Sequence, residues 1–270
     1  MNSDNDSRMM TFLCKRTCLI LVTAEGKQKV GTYIPDDNVT ILGRGTGVLI
    51  EYNGNSFIAT NDHVVHMHRR EDICTTVHIG LENKKPFAEQ HGEFAYAGRE
   101  FMDGEDGYAA LDVLGHPIPK DPLNDTDLAL VRLLPSSGRA ARADGREFVV
   151  WPITPNQAPS VNDRVCFRGY PKENVDFIPE RRAFGVDGYS LFTSVLRTEG
   201  NRIVADARES AISFGNGRVQ LNRDLHGISG SGLFDIDGKL LGIVYGGNPD
   251  AKEIFACNAC ELAPLFDQFK

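Results

Sequence analysis

Turn signals divide this sequence into many short segments, and this pattern limits the folds that the chain can adopt. The Asn53-Gly54 dipeptide is a strong hairpin signal, because the tightest hairpin turns need positive φ at both central residues. Similar turns occur at residues 199–201 and at Asp237-Gly238, between runs of β-branched and apolar residues. Several short strands at such spacing are typical of a β-sandwich or a β-barrel. The sequence therefore predicts an all-β fold.

Composition is ordinary for a globular protein and argues against two classes of function. A length of 270 residues is sufficient for one large domain or two small ones. The contents of hydrophobic residues, 41%, and of charged residues, 24%, are ordinary for a soluble globular protein. The net charge is −8 and no basic face or tail is evident, so we expect no binding to nucleic acid. No apolar run approaches the length of a membrane span, so we expect no membrane interaction.

A glycine-flanked serine is the strongest candidate for chemistry. Ser229 lies in the stretch GISGSGLF at residues 227–234, where a turn leads directly into an apolar strand. Glycine and serine also fill ordinary surface turns, so the stretch alone leaves that interpretation open. In a functional interpretation, the glycines leave room for a substrate carbonyl. The backbone N–H groups of Gly227 and Ser229 then converge on one point as an oxyanion hole.

The chain also supplies a base and a carboxylate for this serine. His63 follows the apolar segment 57–59, and Asp127 directly precedes the apolar segment 128–131. The order His63, Asp127, Ser229 is one of the known chain orders of a Ser-His-Asp triad. In such a triad the histidine takes the serine proton, and the aspartate holds the imidazole in the useful tautomer.

Three segments resemble the trypsin-like serine peptidases of the double β-barrel (chymotrypsin) fold. They are TNDHVV at residues 60–65, DTDLALVRL at 125–133 and GISGSGLFD at 227–235, and residues 165–171 resemble a strand and turn of the bacterial members. The resemblance covers roughly residues 17–269. It implies two antiparallel six-stranded β-barrels packed face to face, with the active site between them.

This resemblance suggests a division of the chain. We expect an N-terminal tail at residues 1–16, disordered or loosely held over its first twelve residues. The first barrel, at 17–134, would carry the histidine and aspartate. A small, polar linker at 135–146 would lead to the second barrel at 147–270, which carries the serine. Apolar residues at helical spacing predict a C-terminal helix at 261–269, with Pro264 in its first turn.

Other residues compete for each catalytic role. Ser231 is also flanked by glycine, and Asp125 lies two residues before Asp127, but the family's pattern favours Ser229 and Asp127. Five of the remaining histidines are expected to be structural or exposed: His66, His68, His78, His91 and His116. His226 is expected to lie on the rim of the cleft.

The family's specificity pocket is framed by residues before the nucleophile and by a later strand. Arg223 and Asp224 would lie near its base, where they could also pair with each other, and Val244, Tyr245 and Gly246 would form its side. The pattern is close to that of the bacterial glutamyl endopeptidases, which have a histidine at the position of Val244. A preference for glutamate therefore does not follow from the resemblance.

One departure from the family concerns activation. Secreted digestive relatives have an aspartate directly before the nucleophile, which pairs with a newly cut N-terminus. Ile228 occupies that position here, so this ion pair is excluded. Any regulation must then come from a partner protein, a cofactor or loop ordering.

The cysteines and the N-terminal residues predict a reducing compartment without a metal site. The apolar run at residues 18–22 is too short for the core of a secretory signal, so we expect a cytoplasmic protein. Disulfides are rare there, and a buried thiol behaves as a small hydrophobic group. The pairs Cys14/Cys18 and Cys257/Cys260 could also form a four-thiolate zinc site. The acidic residues 103–106 fit no EF-hand spacing and are interpreted as a solvated turn. We expect six free thiols, no metal and no cofactor.

The sequence thus predicts a serine endopeptidase that hydrolyses protein or peptide substrates through an acyl-enzyme on Ser229. His63 would act as general base and acid, and Asp127 would orient it. Two other interpretations stay open. One is a protein-binding module that keeps the scaffold without cleaving, and the other is an esterase that uses the same nucleophile.

Overall fold

The computed structural model describes residues 3–29, 31–35, 38–65, 75–80, 108–110, 127–133, 135–151, 159–171, 175–178, 183–186, 188–208, 211–213, 226–267 and 269. Within these residues the chain forms two large, mainly antiparallel sheets and one separate two-stranded hairpin. No helix in this part of the chain is long and apolar enough to cross a membrane.

The first sheet contains eight strands from the N-terminal half and the start of the second half. They are β1 (Thr17–Glu25), β2 (Thr32–Ile34), β3 (Val39–Tyr52), β4 (Asn55–Thr60), β5 (Thr75–Gly80), β6 (Tyr108–Ala110), β7 (Ala129–Arg132) and β8 (Val149–Val150). Six of them follow the order β5-β1-β3-β4-β7-β6, and β2 and β8 both pair with β3. The long strand β3 is therefore the centre of this sheet.

The second sheet contains seven strands. They are β9 (Arg164–Gly169), β12 (Tyr189–Glu199), β13 (Arg202–Asp206), β14 (Ala211–Ser213), β15 (Gly232–Asp235), β16 (Leu240–Asn248) and β17 (Glu253–Asn258). The order is β13-β17-β16-β15-β9-β12-β14, and β12 also pairs with β13. This pairing closes six strands into a barrel. The remaining strands, β10 (Val175–Ile178) and β11 (Ala183–Val186), form the separate hairpin.

Four helices are described in the same residues. They are α1 (Ser3–Arg16), α2 (Asp62–Val65), α3 (Pro135–Ala143) and α4 (Ala263–Asp267), the last preceded by a 3-10 helix at Ala259–Leu262. The C-terminal helix is therefore confirmed, and Pro264 lies in its first turn as predicted. The all-β fold with two large sheets and a C-terminal helix is confirmed as well: the second sheet contains the predicted closed six-stranded barrel, and the described strands of the first form an eight-stranded sheet.

The predicted turns lie between the strands that they were expected to join. Asn53 and Gly54 both have positive φ, 48° and 74°, and they connect β3 to β4 with Tyr52 opposite Asn55. Gly238 has a φ of 84° in the turn between β15 and β16. Asparagine and glycine tolerate the left-handed region at low cost, and this is why these turns could be predicted from the sequence.

An apolar cluster fills the space between the two sheets. It includes Phe57 from β4, Phe234 from β15 and Phe266 from α4, and all three side chains are buried. The rings of Phe57 and Phe266 meet edge to face at 5.3 Å. One further apolar cluster fills the interior of the second sheet, and another fills the interior of the first. The inter-sheet cluster is what sets the position of one half of the molecule relative to the other.

The structure of the N-terminal segment corrects the sequence prediction. A disordered or loosely held start was expected, but residues 3–16 form α1, and its Met10 and Leu13 are buried in the inter-sheet cluster. Phe12 packs edge to face on Phe234 at 5.2 Å. Lys15 and Arg16 both contact Glu147, and the hydrogen bond from Lys15 lowers the pKa of that carboxyl.

Other parts of the predicted division are only partly described. The expected linker contains α3, and β8 pairs with β3 of the first sheet although the predicted boundary assigns residues 149–150 to the second domain. The domain boundaries stay predictions. Several residues named from the sequence lie outside the described residues: Cys74, Asp125, His66, His68, His91, His116 and the acidic residues 103–106.

Candidate active site

His63 reaches the cleft because a one-turn helix follows β4. Val64 and Val65 of this helix, α2, are buried in the interior of the first sheet. Val64 packs so closely on β3 that a Cβ added to Gly45 would come within 2.4 Å of it. With the two valines turned inward, the imidazole of His63 is directed to the surface, and about a third of it is exposed.

Asp127 holds His63 at two points. The backbone N–H of His63 donates to Asp127 Oδ1 at 3.0 Å, and the imidazole Nδ1 makes a short contact with Oδ2. Because Nδ1 faces the carboxylate, Nε2 faces away from it. In the neutral tautomer with the proton on Nδ1, Nε2 is then a free acceptor for a proton.

Asn61 fixes the backbone of this aspartate. Its Nδ2 donates to the Asp127 carbonyl oxygen at 2.7 Å, and the side chain is fully buried. The contact joins the residues before α2 to the residues before β7, so the carboxylate and the imidazole are held together by main chain as well as by side chains. Asn61 therefore positions the pair without contacting the cleft itself.

The loop that carries Ser229 contains two glycines in the left-handed region. Gly227 has a φ of 98° and Gly230 a φ of 91°, values that other residues rarely adopt. A Cβ added to Gly230 would lie 1.8 Å from the Thr46 carbonyl oxygen. Gly230 is therefore required both by its backbone angles and by the close approach of β3.

Thr46 of β3 binds the serine loop to the first sheet. Its N–H donates to the Ser229 carbonyl at 2.8 Å, and its Oγ1 donates to the Gly227 carbonyl at 2.8 Å. The same Oγ1 accepts from the Tyr170 N–H at 3.0 Å, and the Thr46 carbonyl accepts from Thr60 Oγ1 at 2.7 Å. One buried threonine thus links both sheets to the loop that carries Ser229.

The orientation of the Ser229 N–H follows from its neighbours. The Ile228 carbonyl accepts from the N–H of Ser231 at 3.0 Å and from its Oγ at 2.5 Å. Because a peptide unit is planar and trans, the Ser229 N–H points away from that carbonyl. Among the described residues, no acceptor binds the N–H of Ser229 or Gly227, whereas Gly230 donates to the Val244 carbonyl at 2.7 Å. The Ser229 N–H is therefore a free donor on the side of the loop away from the Ile228 carbonyl.

The hydroxyl of Ser229 is directed away from the base in this structure. Its Oγ donates to the Tyr245 carbonyl at 3.3 Å, and no hydrogen bond joins it to His63 within the described residues. A bond of this length is weak, so rotation of the side chain costs little. By contrast, Ser231 is fully buried and its hydroxyl bonds within the loop.

Ser229 and His63 line the same cavity. The cavity has a volume of about 360 Å³, within the usual range for ligand pockets. The described residues that line it are Gly31, Thr32, Ile41, Leu42, Gly43, Arg44, His63, His226, Gly227 and Ser229. A serine hydroxyl and an imidazole thus border one space together with a free N–H donor, and such a set of groups is compatible with acyl transfer.

The predicted specificity residues are only partly described. Arg223 and Asp224 lie outside the described residues. Val244 has no exposed surface and packs in the interior of the second sheet, while Tyr245 and Gly246 are half-buried. The substrate-binding assignments at these positions stay predictions. His226 is exposed at the mouth of the cavity.

The described cysteines are not linked to the cavity. Cys14, Cys18, Cys166, Cys257 and Cys260 are free thiols, and burial raises the pKa of Cys18 and of Cys166 to about 12. Cys18 lies in the first-sheet interior and Cys257 in the inter-sheet cluster. No group of three or more metal-ligating residues occurs in the part of the chain described.

Sequence reasoning missed Thr46 and Asn61. Asn61 could have been found, because it lies two residues before the candidate base in a segment that was already identified. Thr46 carries no local signal. Its importance depends on how β3 lies against the serine loop, which is a tertiary contact between distant parts of the chain.

Comparison with known proteins gives one family and several similar structures. A family model described as a trypsin-like peptidase domain matches residues 45–243. The active form of the Rv3671c protease from M. tuberculosis is 14% identical, with all of this chain and 87% of that chain covered and a TM-score of 0.47. A serine endoprotease from Yersinia pestis is 16% identical, with all of this chain and 66% of that chain covered and a TM-score of 0.49. No curated protein gives a significant match.

Proposed function

Because the chain belongs to the trypsin-like peptidase domain family, we propose that it is a serine endopeptidase whose nucleophile is Ser229. The observation that carries the proposal is that Ser229 lines one cavity with His63, while Asp127 holds that histidine at two points. A hydroxyl is a weak nucleophile at neutral pH, and a base oriented in this way supplies what it lacks.

The first half of the reaction forms the acyl-enzyme. Ser229 Oγ turns from the Tyr245 carbonyl toward His63, attacks the substrate carbonyl carbon and gives its proton to Nε2. The oxyanion accepts hydrogen bonds from the N–H groups of Gly227 and Ser229, each worth about 3–4 kcal/mol in comparable sites. As the C–N bond breaks, the imidazolium returns the proton to the leaving amine.

The second half releases the acid. A water molecule gives a proton to His63 Nε2 and attacks the acyl carbon, and Ser229 Oγ leaves as the imidazolium protonates it. Asp127 stabilises the imidazolium in both halves and remains ionised. The Ile228 carbonyl, which shares a peptide unit with the Ser229 N–H, is already bonded to Ser231, so this donor needs no rearrangement during the reaction.

Covalent labelling with a fluorophosphonate tests this proposal directly. We expect one equivalent of label on Ser229, and no label on Ser229→Ala. The matched control is Ser231→Ala, which removes a hydroxyl two residues away that is buried and bonded within the loop. It should still be labelled. Label on Ser231, or no label on the wild-type protein, would contradict the assignment.

A substrate panel then separates the remaining interpretations. Peptides and simple acyl esters are offered to the same preparation, and products are identified by mass spectrometry. We expect internal peptide bonds to be cleaved. Ester hydrolysis without peptide cleavage would indicate an esterase, and absence of both would indicate a binding module on the same scaffold.

A further inference from the structure

We propose that Arg202 of β13 is a positioning residue for the nucleophile, and that it acts through the aromatic rings of Phe255 and Tyr245. The inference rests on the proposed peptidase function and adds to it a residue that does not line the cavity beside Ser229. It is carried by a row of three side chains on adjacent strands, which ends at a bulge beside the serine loop.

Strand β16 is bonded to the serine loop at three points. The N–H of Gly230 donates to the Val244 carbonyl at 2.7 Å, and the Val244 N–H donates to the Ser231 carbonyl at 2.8 Å. The third bond runs from Ser229 Oγ to the Tyr245 carbonyl at 3.3 Å. The backbone of residues 244 and 245 therefore sets where the second sheet holds the nucleophile.

A β-bulge interrupts β16 at this point. Val244 lies opposite Ala256 of β17. Phe255, the neighbour of Ala256, lies opposite Gly246, so Tyr245 is the extra residue of the bulge. A bulge disrupts the ladder locally and re-aims the residue that it contains. The place of the Tyr245 carbonyl therefore depends on the contacts of the Tyr245 side chain more than it would in a regular strand.

Arg202 is linked to Tyr245 by Phe255, across the adjacent strands β13, β17 and β16. The guanidinium carbon of Arg202 lies 4.9 Å from the centroid of the Phe255 ring, where the ring quadrupole attracts a cation. The Phe255 ring lies 6.1 Å from the ring of Tyr245, with 35° between their planes. The guanidinium is thus at one end of a row that has the bulge at its other end.

Glu199 holds the guanidinium in this place. Both Nε and Nη2 of Arg202 donate to Glu199 Oε2, and the side chain of Arg202 is only 13% exposed. The bond to Glu199, and to a lesser degree the neighbouring Tyr245 phenol, raise the pKa of Arg202 against the effect of burial. The cation that packs on Phe255 is therefore fixed by its own ion pair.

The rate of fluorophosphonate labelling measures the effect on the nucleophile, because this probe reacts with the serine hydroxyl and needs no extended substrate. Arg202→Gln should still take one equivalent of label, but with a rate constant about five-fold lower, the factor that corresponds to an ordinary cation–ring contact. Arg202→Lys keeps the charge and should retain more of the rate. A merely structural role would lower the labelled fraction and the free energy of unfolding, and would leave the rate constant per labelled site unchanged.

Arg197→Gln is the matched control. Arg197 shares Glu199 with Arg202 and makes a bidentate pair with Glu253 of β17. In the described part of the chain it makes no contact with an aromatic ring, so this change removes an arginine of the same network without touching the row. Its rate constant should equal that of the wild type.

A double variant tests the path through the ring. If Arg202 acts through Phe255, then Arg202→Gln combined with Phe255→Leu should be no slower than the slower single variant. Four results would overturn the inference and leave the peptidase assignment intact. They are a rate constant of Arg202→Gln equal to or above that of the wild type, no gain in Arg202→Lys over Arg202→Gln, an equal loss in Arg197→Gln, and losses that multiply in the double variant. A wild-type protein that neither cleaves any peptide nor takes the label would overturn the proposed function as well.

Discussion

The His63–Asp127 pair and the loop that carries Ser229 are held by different parts of the molecule. The pair is fixed within the first sheet, by two hydrogen bonds between its own members and by one from Asn61. The serine loop belongs to the second sheet, but Thr46 of the first sheet binds two of its carbonyls. The loop also depends on Gly230, which has no room for a Cβ.

The orientation of the His63 imidazole and the position of Ser229 therefore depend on different sets of contacts. The contacts that orient the imidazole of His63 come from residues of the first sheet and the segments beside it, so we expect this side chain to be oriented whenever that sheet is folded. The position of Ser229 depends also on Thr46, so we expect it to be reached only when the two sheets are docked. Damage at the docking contacts should therefore affect Ser229 more than His63.

The largest expected effect tests whether the two regions act as one unit in catalysis. Ser229→Ala and His63→Ala should each lower kcat by about 10⁶, and the double variant should be no slower than either, because both lose the same step. Asp127→Asn should cost about 10⁴. The measurement is kcat for all four on one peptide. A double variant slower by a further factor of about 10³ would mean that the residues act independently.

A smaller effect is expected from the loop glycine. Gly230→Ala should lower the free energy of unfolding by about 4 kcal/mol, because positive φ strains alanine and its Cβ overlaps Thr46 and Thr60. Gly54→Ala is the control, since Gly54 also has positive φ but its Cβ position is open. It should cost about 1 kcal/mol. Urea denaturation measures both, and equal costs would refute the steric part of the argument.

Thr46→Val tests the connection between the sheets. The change keeps the shape but removes the partner of the Gly227 carbonyl and of the Tyr170 N–H, so unfolding should become easier by about 3 kcal/mol and kcat should fall. Thr17→Val is the matched control, because Thr17 Oγ1 is buried and has no partner among the described residues. That change should be neutral or stabilising. Similar losses for both variants would refute the role assigned to Thr46.

The smallest expected effect concerns Asn61, which contacts the His63–Asp127 pair. Asn61→Ala removes the bond to the Asp127 carbonyl but leaves both contacts between His63 and Asp127. We expect about 1 kcal/mol of lost stability and a roughly ten-fold lower kcat with KM unchanged. Asn55→Ala, at the hairpin, removes two exposed side-chain bonds, with the Asn53 carbonyl and with Arg132, and should leave kcat unaltered. A drop in kcat as large as that of Asp127→Asn would show that the pair is not held locally.

The same contrast explains what could be predicted from the sequence. His63, Asp127 and Ser229 could be selected as candidates because each lies next to a strand whose apolar residues are recognisable in the sequence, and their catalytic roles stay predictions. The turns at Asn53-Gly54 and Asp237-Gly238 were found because they need residues that tolerate positive φ. These patterns involve only residues that are close in the chain, so they can be recognised in a single sequence.

What was missed depends on contacts between distant residues. Thr46 is an ordinary strand residue until β3 meets the serine loop, and nothing near it in the sequence indicates a contact with Gly227. The helix α1 was missed for a related reason. Its apolar residues at 9, 10, 12 and 13 do follow helical spacing, but the polar composition of residues 1–8 favoured a disordered tail. The apolar surface that stabilises it is supplied by residues elsewhere in the chain, such as Phe234.

The packing of α1 has a consequence for the order in which the protein can be completed during synthesis. Phe234, which shares a cluster with Met10, Phe12 and Leu13, leaves the ribosome about 220 residues after them, and Phe266 follows later still. Until then the helix lacks the apolar surface that covers it in the folded protein, and short isolated helices are marginal in water. The inter-sheet cluster therefore cannot close before Phe234 and Phe266 have emerged, and the apolar side chains of α1 stay exposed on the nascent chain during that interval.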